Sequence, residues 1–497
     1  MVSLRRFLDV AVVLSPVQAL DKWMLPGEAG VEDTVMNSQE LLDLITELAK
    51  EFDVPGAAAG LWHKGRTAYA CHGVTSIENP LPVDAHTLFQ AGSIGKTFTA
   101  TALVLLEAEG RVELDAPVRS YVRELRLKDS TVAHEVTLQQ LLNHSAGWEG
   151  DFFPDTGEGD DALARFVSRM DELEQLGLPG AAFSYNNAAV CLAGRVIENV
   201  TGDTYEAAIR KLILEPLGLR ESFFFRDEVM TRRFVVGHKP SAGDALEVAK
   251  PWGLPRNGAP AGGIVTSVSD LLAWARFHLA ANGSAYGPPI LDGSRLRAMR
   301  EPTVHMPGCA FGDAIGLSWF LSDVGGARLV GHDGSTNGQE ASLSFLPEDD
   351  WALVILTNAS PGGMALNLAA KQRVIAACTG IVAKEVQPVS AAPSTLTAYA
   401  GEYSARGMRC VVTVGEGGDL VFTLPADPEL LAIMFENGEI PLPEPATLRA
   451  GFVGEHPDRY VFANGPVKGL TGYFERGNDG RVRALQLFGR RLPLVRG

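Results

Sequence analysis

The chain has 497 residues, of which 46% are hydrophobic and 21% charged, and its formal net charge is −17. This composition is ordinary for a globular protein, and the acidic balance argues against nucleic acid or an anionic membrane surface as a partner. No stretch reaches the ~18 uninterrupted apolar residues of a membrane span, so we expect none. The five cysteines are scattered without a CxxC pair or a zinc-ligand spacing, so we expect buried or free thiols and neither a metal nor another cofactor.

Residues 1–30 are predicted to form an N-terminal extension. Arg5 and Arg6 precede an apolar stretch that loosely resembles a signal peptide, but Asp9 interrupts it and no clean small-residue cleavage site follows. We therefore expect a cytoplasmic protein, and a periplasmic or secreted one if residues 1–20 act as a signal.

The next elements predict one sheet built from two distant parts of the chain. Ser38 to Glu51 is predicted to be the first helix, and residues 57–62 and 68–74 to be paired strands. Residues 81–321 are rich in helices and loops, strands return at 328–357, and a last helix follows at 364–377. Strands at both ends of a helical region predict a sheet covered by helices beside an all-helical lobe, with the active site in the groove between them.

Ser93 and Lys96 stand one helical turn apart at the start of an apolar helical run, residues 97–110. Residues three apart share a helix face, so the two side chains can touch. A serine hydroxyl needs an adjacent base to act as a nucleophile, and a lysine can be that base if burial lowers its pKa. Residues 91–95 also allow an alternative, the nucleophile elbow of an α/β-hydrolase with His332 as base.

Two later segments carry further polar groups. Tyr185 and Asn187 precede a second apolar helical run, and the Asn187 amide can donate to a substrate carbonyl and accept from Lys96, although it can also be a turn asparagine. His332 and Gly334 belong to a His-Asp-Gly-Ser segment at one end of a predicted strand. Glycine there lets the backbone approach the substrate closely. A histidine with an ordinary pKa of ~6.5 is largely neutral at pH 7, and His332 can alternatively be a structural turn residue.

Ser-x-x-Lys, Tyr-x-Asn and His-x-Gly, in this order, resemble the serine β-lactamase and penicillin-binding protein superfamily. The tyrosine form is similar to the class C β-lactamase branch, with its D-aminopeptidase, family VIII esterase and penicillin-binding-protein-type thioesterase relatives. Connecting segments at 137–147, 215–219 and 261–271 support the resemblance, which runs from about residue 38 to residue 379. It implies an α/β (α+β) fold of the β-lactamase/transpeptidase type, with a mixed sheet flanked by helices and an all-helical lobe.

The resemblance also implies the chemistry. It implies an acyl-enzyme at the serine, with these residues as the catalytic set: Ser93, Lys96 and Tyr185. It implies substrate or oxyanion contacts from Asn187, His332, Gly334 and Ser335, with the backbone N–H groups of Ser93 and Ser335 as the oxyanion hole. Either the lysine or the tyrosine is the formal base, and the tyrosine protonates the leaving group.

The substrate implied is a small molecule or short peptide with an acyl group to transfer. Related β-lactamases usually hold lysine at the position of His332 as a cation for the substrate carboxylate, so histidine beside Asp333 disfavours an efficient β-lactamase. We therefore expect hydrolysis of an amide or peptide bond, D-amino-acid peptides being favoured, or of a carboxylic ester. A carboxylesterase and a weak β-lactamase remain alternatives. A non-catalytic penicillin-binding sensor or scaffold is an alternative of another class, and a homo-oligomer is left open.

A change of composition marks the C-terminal part. Residues 386–394 are predicted to be a linker between a catalytic domain at 31–385 and a β-rich domain at 395–497. Strands are predicted at 409–414, 420–424, 459–462, 470–474 and 482–488, with glycine-rich hairpin turns at 415–419 and 477–480. This part resembles the small, lipocalin-like barrel appended to some D-aminopeptidase and thioesterase relatives, which implies a cap over the cleft or a role in assembly.

Overall fold

The computed structural model describes residues 36–241, 245–280, 290–383, 386–425, 446–454, 456–464 and 467–496. The predicted N-terminal extension lies outside these ranges. Among the helices of the described residues, none has the length and apolar character needed to cross a membrane.

The main sheet has eight antiparallel strands in the order β2-β1-β13-β12-β11-β10-β9-β8. The bounds are β1 (Gly56–His63), β2 (Arg66–Gly73), β8 (Val304–Cys309), β9 (Gly312–Ile315), β10 (Phe320–Val324), β11 (Ala327–Thr336), β12 (Gln339–Leu346) and β13 (Trp351–Thr357). As predicted, both ends of this part of the chain contribute to one sheet. The strands return earlier than residue 328, however. The sequence carries no clear signal for β8, β9 and β10, because all three are short and the first two contain glycine.

Helices cover both faces of this sheet. The first half of the chain forms α1 (Ser38–Glu51), α2 (Gly95–Ala108), α3 (Ser130–Glu135), α4 (Leu138–Leu142), α5 (Ala162–Val167), α6 (Asn187–Thr201), α7 (Tyr205–Ile209), α8 (Glu215–Leu217) and α9 (Arg226–Val229). The second half forms α10 (Ala259–Gly262), α11 (Val268–Leu279), α12 (Gly293–Ala298), α13 (Gly362–Thr379) and α14 (Pro393–Leu396). Helices α1 and α13 share one apolar core with the sheet, and α2 and α11 share the other.

Local signals explain why the first helix has the predicted bounds. The Asn37 side chain accepts hydrogen bonds from backbone N–H groups in the first turn of α1, and the Glu40 carboxylate accepts one from the Asn37 backbone N–H, which completes a capping box. Leu41, Ile45 and Leu48 recur at helical spacing and are fully buried against the sheet.

Between β2 and β8 the chain forms the predicted helical lobe, which short strands tie together. They are β3 (Phe89–Gln90), β4 (Ser222–Phe223), β5 (His238–Pro240), β6 (Leu246–Val248) and β7 (Val265–Thr266). Strands β3, β7 and β4 form one small sheet, and β5 and β6 form another. All five cysteines are free thiols, as expected.

The C-terminal part is a closed barrel of eight strands, which confirms the expected small β-barrel. Its strands follow the order β18-β17-β16-β15-β22-β21-β20-β19, and a β18–β19 pairing closes it. They are β15 (Gly401–Ala405), β16 (Met408–Val414), β17 (Leu420–Leu424), β18 (Ala446–Val453), β19 (His456–Phe462), β20 (Thr471–Arg476), β21 (Val482–Leu487) and β22 (Arg490–Arg496). A short strand inside the predicted linker, β14 (Pro388–Val389), pairs with β18.

The barrel contacts the part of the chain that holds the main sheet and the helical lobe through the hairpin between β21 and β22. Phe488 and Gly489 turn this hairpin with positive φ of 49° and 74°. The Gly489 carbonyl accepts a hydrogen bond from the Tyr185 backbone N–H at 2.9 Å. A second tie joins the Arg406 guanidinium to Glu149 at 3.0 Å. The hairpin therefore reaches the predicted catalytic tyrosine.

Candidate active site

Ser93 lies in a single 3-10 turn, Gly92–Ile94, between β3 and α2. Gly92 has a φ of +51°, and a Cβ at this position would lie 2.8 Å from the Ser335 backbone nitrogen. Only glycine fits such a close approach in a left-handed conformation. The sequence just before the serine therefore brings the turn against strand β11.

Lys96 is fully buried at the start of α2, directly below the serine. Its Nζ donates to Ser93 Oγ at 3.0 Å and to the Ala261 carbonyl oxygen at 2.6 Å. The carbonyl belongs to α10, which packs on α2. The predicted contact between serine and lysine is present, and a second element fixes the lysine.

Tyr185 is 7% exposed and lies in the segment that precedes α6. Lys96 Nζ lies 4.9 Å from the centroid of its ring. The His144 ring packs on the same phenol, with 4.5 Å between ring centroids. The structure thus brings the three predicted catalytic side chains together.

The neighbouring side chains of Asn186 and Asn187 have different hydrogen-bond partners. The Asn186 side chain caps α6 by accepting from the Ala189 backbone N–H at 2.8 Å. The Asn187 amide donates to Asp151 Oδ1 at 3.0 Å. Among the described residues Lys96 Nζ donates to Ser93 Oγ and to the Ala261 carbonyl oxygen, and the Asn187–Lys96 hydrogen bond that the sequence allowed is not among these contacts.

Strand β11 places alternate side chains on its two faces. His332 is buried 5.0 Å from the Phe320 ring, centroid to centroid, and 6.3 Å from the Tyr185 ring. Asp333 is directed to the other face, where its carboxylate pairs with Lys371 of α13 at 3.2 Å. The negative charge expected beside His332 therefore lies on the other face of the strand, where it is paired with a lysine.

His332 is a neutral imidazole. Burial, followed by the charge of Lys96, lowers the pKa of His332 to about 3. Its Nδ1 must donate to the Asp333 carbonyl oxygen, 2.6 Å away, because a carbonyl can only accept. The Nε2 atom of a neutral ring is then an acceptor, and it is buried without a hydrogen-bond partner among the described residues.

Gly334 and Ser335 bring β11 against the nucleophile turn. A Cβ at Gly334 would lie 2.0 Å from the Ala91 carbonyl oxygen and 2.9 Å from the Ser93 backbone nitrogen. The close approach expected of Gly334 is thus made to the serine turn. The backbone nitrogens of Ser93 and Ser335 consequently lie on adjoining segments, as two donors to one oxyanion must.

The barrel contributes a charged group that the sequence did not indicate. The Arg490 guanidinium carbon lies 4.7 Å from the centroid of the Tyr185 ring. Arg490 also forms a two-pronged ion pair with Asp151, at 2.9 Å and 3.2 Å, and Asp151 is the partner of Asn187. A positively charged arginine in a hairpin turn carries no local signal of such a role.

His144 is the other residue that sequence reasoning left without a role. It is fully buried, and burial, followed by the nearby Lys96 and Arg490 side chains, lowers its pKa well below the ordinary value. Its Nδ1 accepts the Asn186 backbone N–H at 3.0 Å. Two neutral imidazoles therefore flank a tyrosine that lies between Lys96 and Arg490.

Comparisons with known proteins agree with this arrangement. The Beta-lactamase family profile matches residues 41–377. Penicillin-binding protein 4 of Amycolatopsis lactamdurans is 31% identical over 370 residues, which is 72% of this chain and 96% of that protein. The chain therefore belongs to the β-lactamase family, within the serine β-lactamase and penicillin-binding protein superfamily.

Two solved structures extend the similarity to the barrel. The crystal structure of SurE has a TM-score of 0.74 and 27% identity, covering 92% of this chain and 99% of that chain. The crystal structure of SurE with D-Leu has a TM-score of 0.71 and 26% identity over the same shares. An octameric penicillin-binding protein homologue from Pyrococcus abyssi, at 23% identity and a TM-score of 0.62, covers 92% of this chain and all of that one, and shares the fold.

The family excludes the α/β-hydrolase alternative. Ser93 follows the two-residue strand β3, which is outside the main sheet, and that sheet is antiparallel. A nucleophile elbow instead requires the serine at the top of a strand of the central sheet.

Proposed function

We propose that this protein is a serine hydrolase that forms an acyl-enzyme at Ser93 and cleaves an amide or peptide bond, with D-amino-acid-containing peptides favoured over carboxylic esters. The contact of 3.0 Å between Lys96 Nζ and Ser93 Oγ carries the proposal. It joins a partly exposed hydroxyl to a fully buried amine, the arrangement that an activated serine needs.

In the acylation step, Ser93 Oγ attacks the substrate carbonyl carbon and its proton passes to the pair formed by Lys96 and Tyr185. The backbone N–H groups of Ser93 and Ser335 stabilise the oxyanion, and one such donor is worth ~10²–10³ in rate. The carbon–nitrogen bond then breaks, and Tyr185 protonates the departing amine. Water attacks the acyl-enzyme by the same route in reverse, releasing the acid and returning the proton to Ser93.

The D-amino-acid preference rests on one comparison with a solved structure. SurE matches both parts of this chain, and one of the two crystal structures is that of SurE with D-Leu. His332 is neutral, and the basic side chains beside the Tyr185 ring are Lys96 and Arg490. Asn187 and Arg490 both donate to Asp151, so these three side chains form one polar network at the site.

A second candidate is a protein that binds penicillin and turns over slowly. The similarity to Penicillin-binding protein 4 favours it. Under this alternative the neutral His332 leaves the acyl-enzyme formed by a β-lactam long-lived. A carboxylesterase and a weak β-lactamase use the same catalytic residues and differ in the substrate that is turned over.

The experiment is a comparison of turnover by wild type and Ser93→Ala on four chromogenic substrates. They are the p-nitroanilides of D-leucine and L-leucine, p-nitrophenyl acetate and a chromogenic cephalosporin. We expect Ser93-dependent turnover with D-leucine preferred to L-leucine by at least about tenfold, because a site that reads one configuration loses aligned contacts with the other. Preference for L-leucine, or fastest turnover of the ester or the cephalosporin, would overturn the proposed substrate class.

A further inference from the structure

Glu340 is a buried carboxyl group next to the active site that the mechanism above does not use. It lies at the start of β12 and is 3% exposed. It stands directly opposite Ser335 in the antiparallel pairing of β11 and β12. The Ser335 hydroxyl donates to Glu340 Oε1 at 3.0 Å.

Ser335 is the residue whose backbone N–H is the second proposed oxyanion donor. Its own side chain is exposed, so the hydrogen bond to Glu340 is what restrains it. The neighbouring residue of β12, Gln339, accepts the Gln90 backbone N–H at 2.9 Å, just ahead of the nucleophile turn. The start of β12 therefore holds both segments that must line up, β11 and the turn that carries Ser93.

We propose that Glu340 is a positioning residue for the oxyanion hole, acting through the Ser335 hydroxyl, and that its uncharged form is the active one. This inference rests on the proposed function. A neutral carboxyl accepts the Ser335 hydroxyl and fixes the strand without adding charge. An ionised one places a second negative charge near the oxyanion that forms during acylation, which opposes the stabilisation that the hole supplies.

The surroundings of Glu340 favour the neutral form. Burial raises the pKa of Glu340 to about 8, and the Asp333 carboxylate on β11 acts in the same direction. The Lys371 ammonium of α13 faces this side of the sheet, but it is paired with Asp333. The first turn of α13 also packs here, since a Cβ at Gly363 would lie 3.3 Å from Glu340 Cβ.

The sign of the expected pH effect follows from this. Below the raised pKa the carboxyl is protonated and the hole has its full strength, and above it the carboxylate weakens acylation. Glu340→Gln keeps a hydrogen-bond acceptor of the same shape and cannot ionise. Glu348→Gln is the matched control, since Glu348 is an exposed glutamate in the turn that follows β12.

The test is the pH dependence of kcat/KM for p-nitrophenyl acetate from about pH 6 to about pH 10, with the rate of Ser93→Ala subtracted at each pH. We expect wild type and Glu348→Gln to lose at least about fivefold in kcat/KM across the pKa of about 8, and Glu340→Gln to lose clearly less. An identical alkaline decline in wild type and Glu340→Gln would overturn the inference.

A second variant keeps the inference testable if Glu340→Gln does not fold. Ser335→Ala retains the backbone donor and removes one of the two hydroxyls, Ser360 and Ser335, that lower the pKa of Glu340 by hydrogen bonding. The alkaline decline should therefore move to higher pH in Ser335→Ala, and an unmoved decline contradicts the role of Glu340. Wild-type turnover equal to that of Ser93→Ala at every pH would instead refute the proposed function itself.

Discussion

The guanidinium of Arg490 lies 4.7 Å from the centroid of the Tyr185 ring, although the two residues belong to different parts of the chain. The Tyr185 backbone N–H donates to the residue before that arginine, Gly489. Since Lys96 Nζ lies 4.9 Å from the same ring centroid, the phenol is placed between a lysine and an arginine. The barrel thus takes part in building the candidate active site.

Replacing Lys96 should abolish most of the activity. Lys96→Ala removes the amine that contacts Ser93 Oγ, and general-base catalysis is worth ~10²–10⁴ in rate. We expect kcat for p-nitrophenyl acetate to fall by about that factor. Lys128→Ala is the control, because Lys128 pairs with Glu174 on the surface. Activity in Lys96→Ala within about threefold of wild type would contradict the role of the lysine.

Tyr185→Phe should show whether the Tyr185 hydroxyl takes part in the reaction, because the variant keeps the packing of the ring. It retains the ring between Lys96, His144 and Arg490 and removes the hydroxyl that protonates the leaving group. We expect a fall in kcat by ~10²–10⁴ for an amide, and a smaller fall for p-nitrophenyl acetate, whose leaving group needs no proton. Tm should stay that of wild type. Equal losses on both substrates would argue against proton donation by Tyr185.

Replacing Arg490, the barrel residue beside Tyr185, with alanine should lower the catalytic activity. The substitution leaves Asp151 without its two-pronged partner and removes a cation from Tyr185. Hydrogen bonds to charged groups contribute about 1.5–3 kcal/mol each, so we expect kcat/KM for the D-leucine substrate to fall by at least about tenfold. Arg481→Ala, an exposed arginine of the hairpin that joins β20 and β21, should match wild type. Unchanged kcat/KM in Arg490→Ala would show that the barrel does not serve the site.

Local and non-local causes separate what the sequence could predict from what it could not. Helix α1 and the contact of Ser93 with Lys96 depend on spacings of three or four residues, and both agree with the prediction. Strand β22 begins with two arginines and contains a proline, and it is held between β21 and the distant strand β15. The place of Arg490 follows from that pairing and from the docking of the hairpin, which no segment of sequence encodes alone.

The same distinction applies within strand β11. The sequence placed His332 and Gly334 near the site, and the structure does the same. It could not show that Asp333 is directed to Lys371, since this pairing depends on how α13 packs on the sheet. Nor could it show that Glu340 stands opposite Ser335, which follows from strand register.

A buried histidine outside the site should make the protein sensitive to acid. His278 is fully buried among aromatic rings, with 4.6 Å to Trp274 and 4.7 Å to Trp319 between centroids, and burial lowers its pKa well below the ordinary value. The unfolded chain binds a proton there near pH ~6.5 and the folded chain does not. The free energy of unfolding should therefore fall as pH drops below ~6.5, by up to ~1.4 kcal/mol per pH unit for this group.

Urea unfolding of His278→Leu at about pH 7.5 and about pH 5 measures this contribution. We expect the loss of stability between the two conditions to be smaller than in wild type by about 2 kcal/mol, because the variant cannot bind the proton. His305→Leu is the control, since His305 is exposed on β8. If His278→Leu and wild type lose the same stability, the buried imidazole is not the cause.

The most direct test of the central claim is the mass of the intact protein after brief exposure to a fluorophosphonate and, separately, to a penicillin. Wild type should gain one equivalent of the fluorophosphonate, and Ser93→Ala should gain none, which would establish Ser93 as the nucleophile. The penicillin arm shows whether the cleft still accepts a β-lactam. No adduct in wild type with either reagent, or an adduct that persists in Ser93→Ala, would contradict the account.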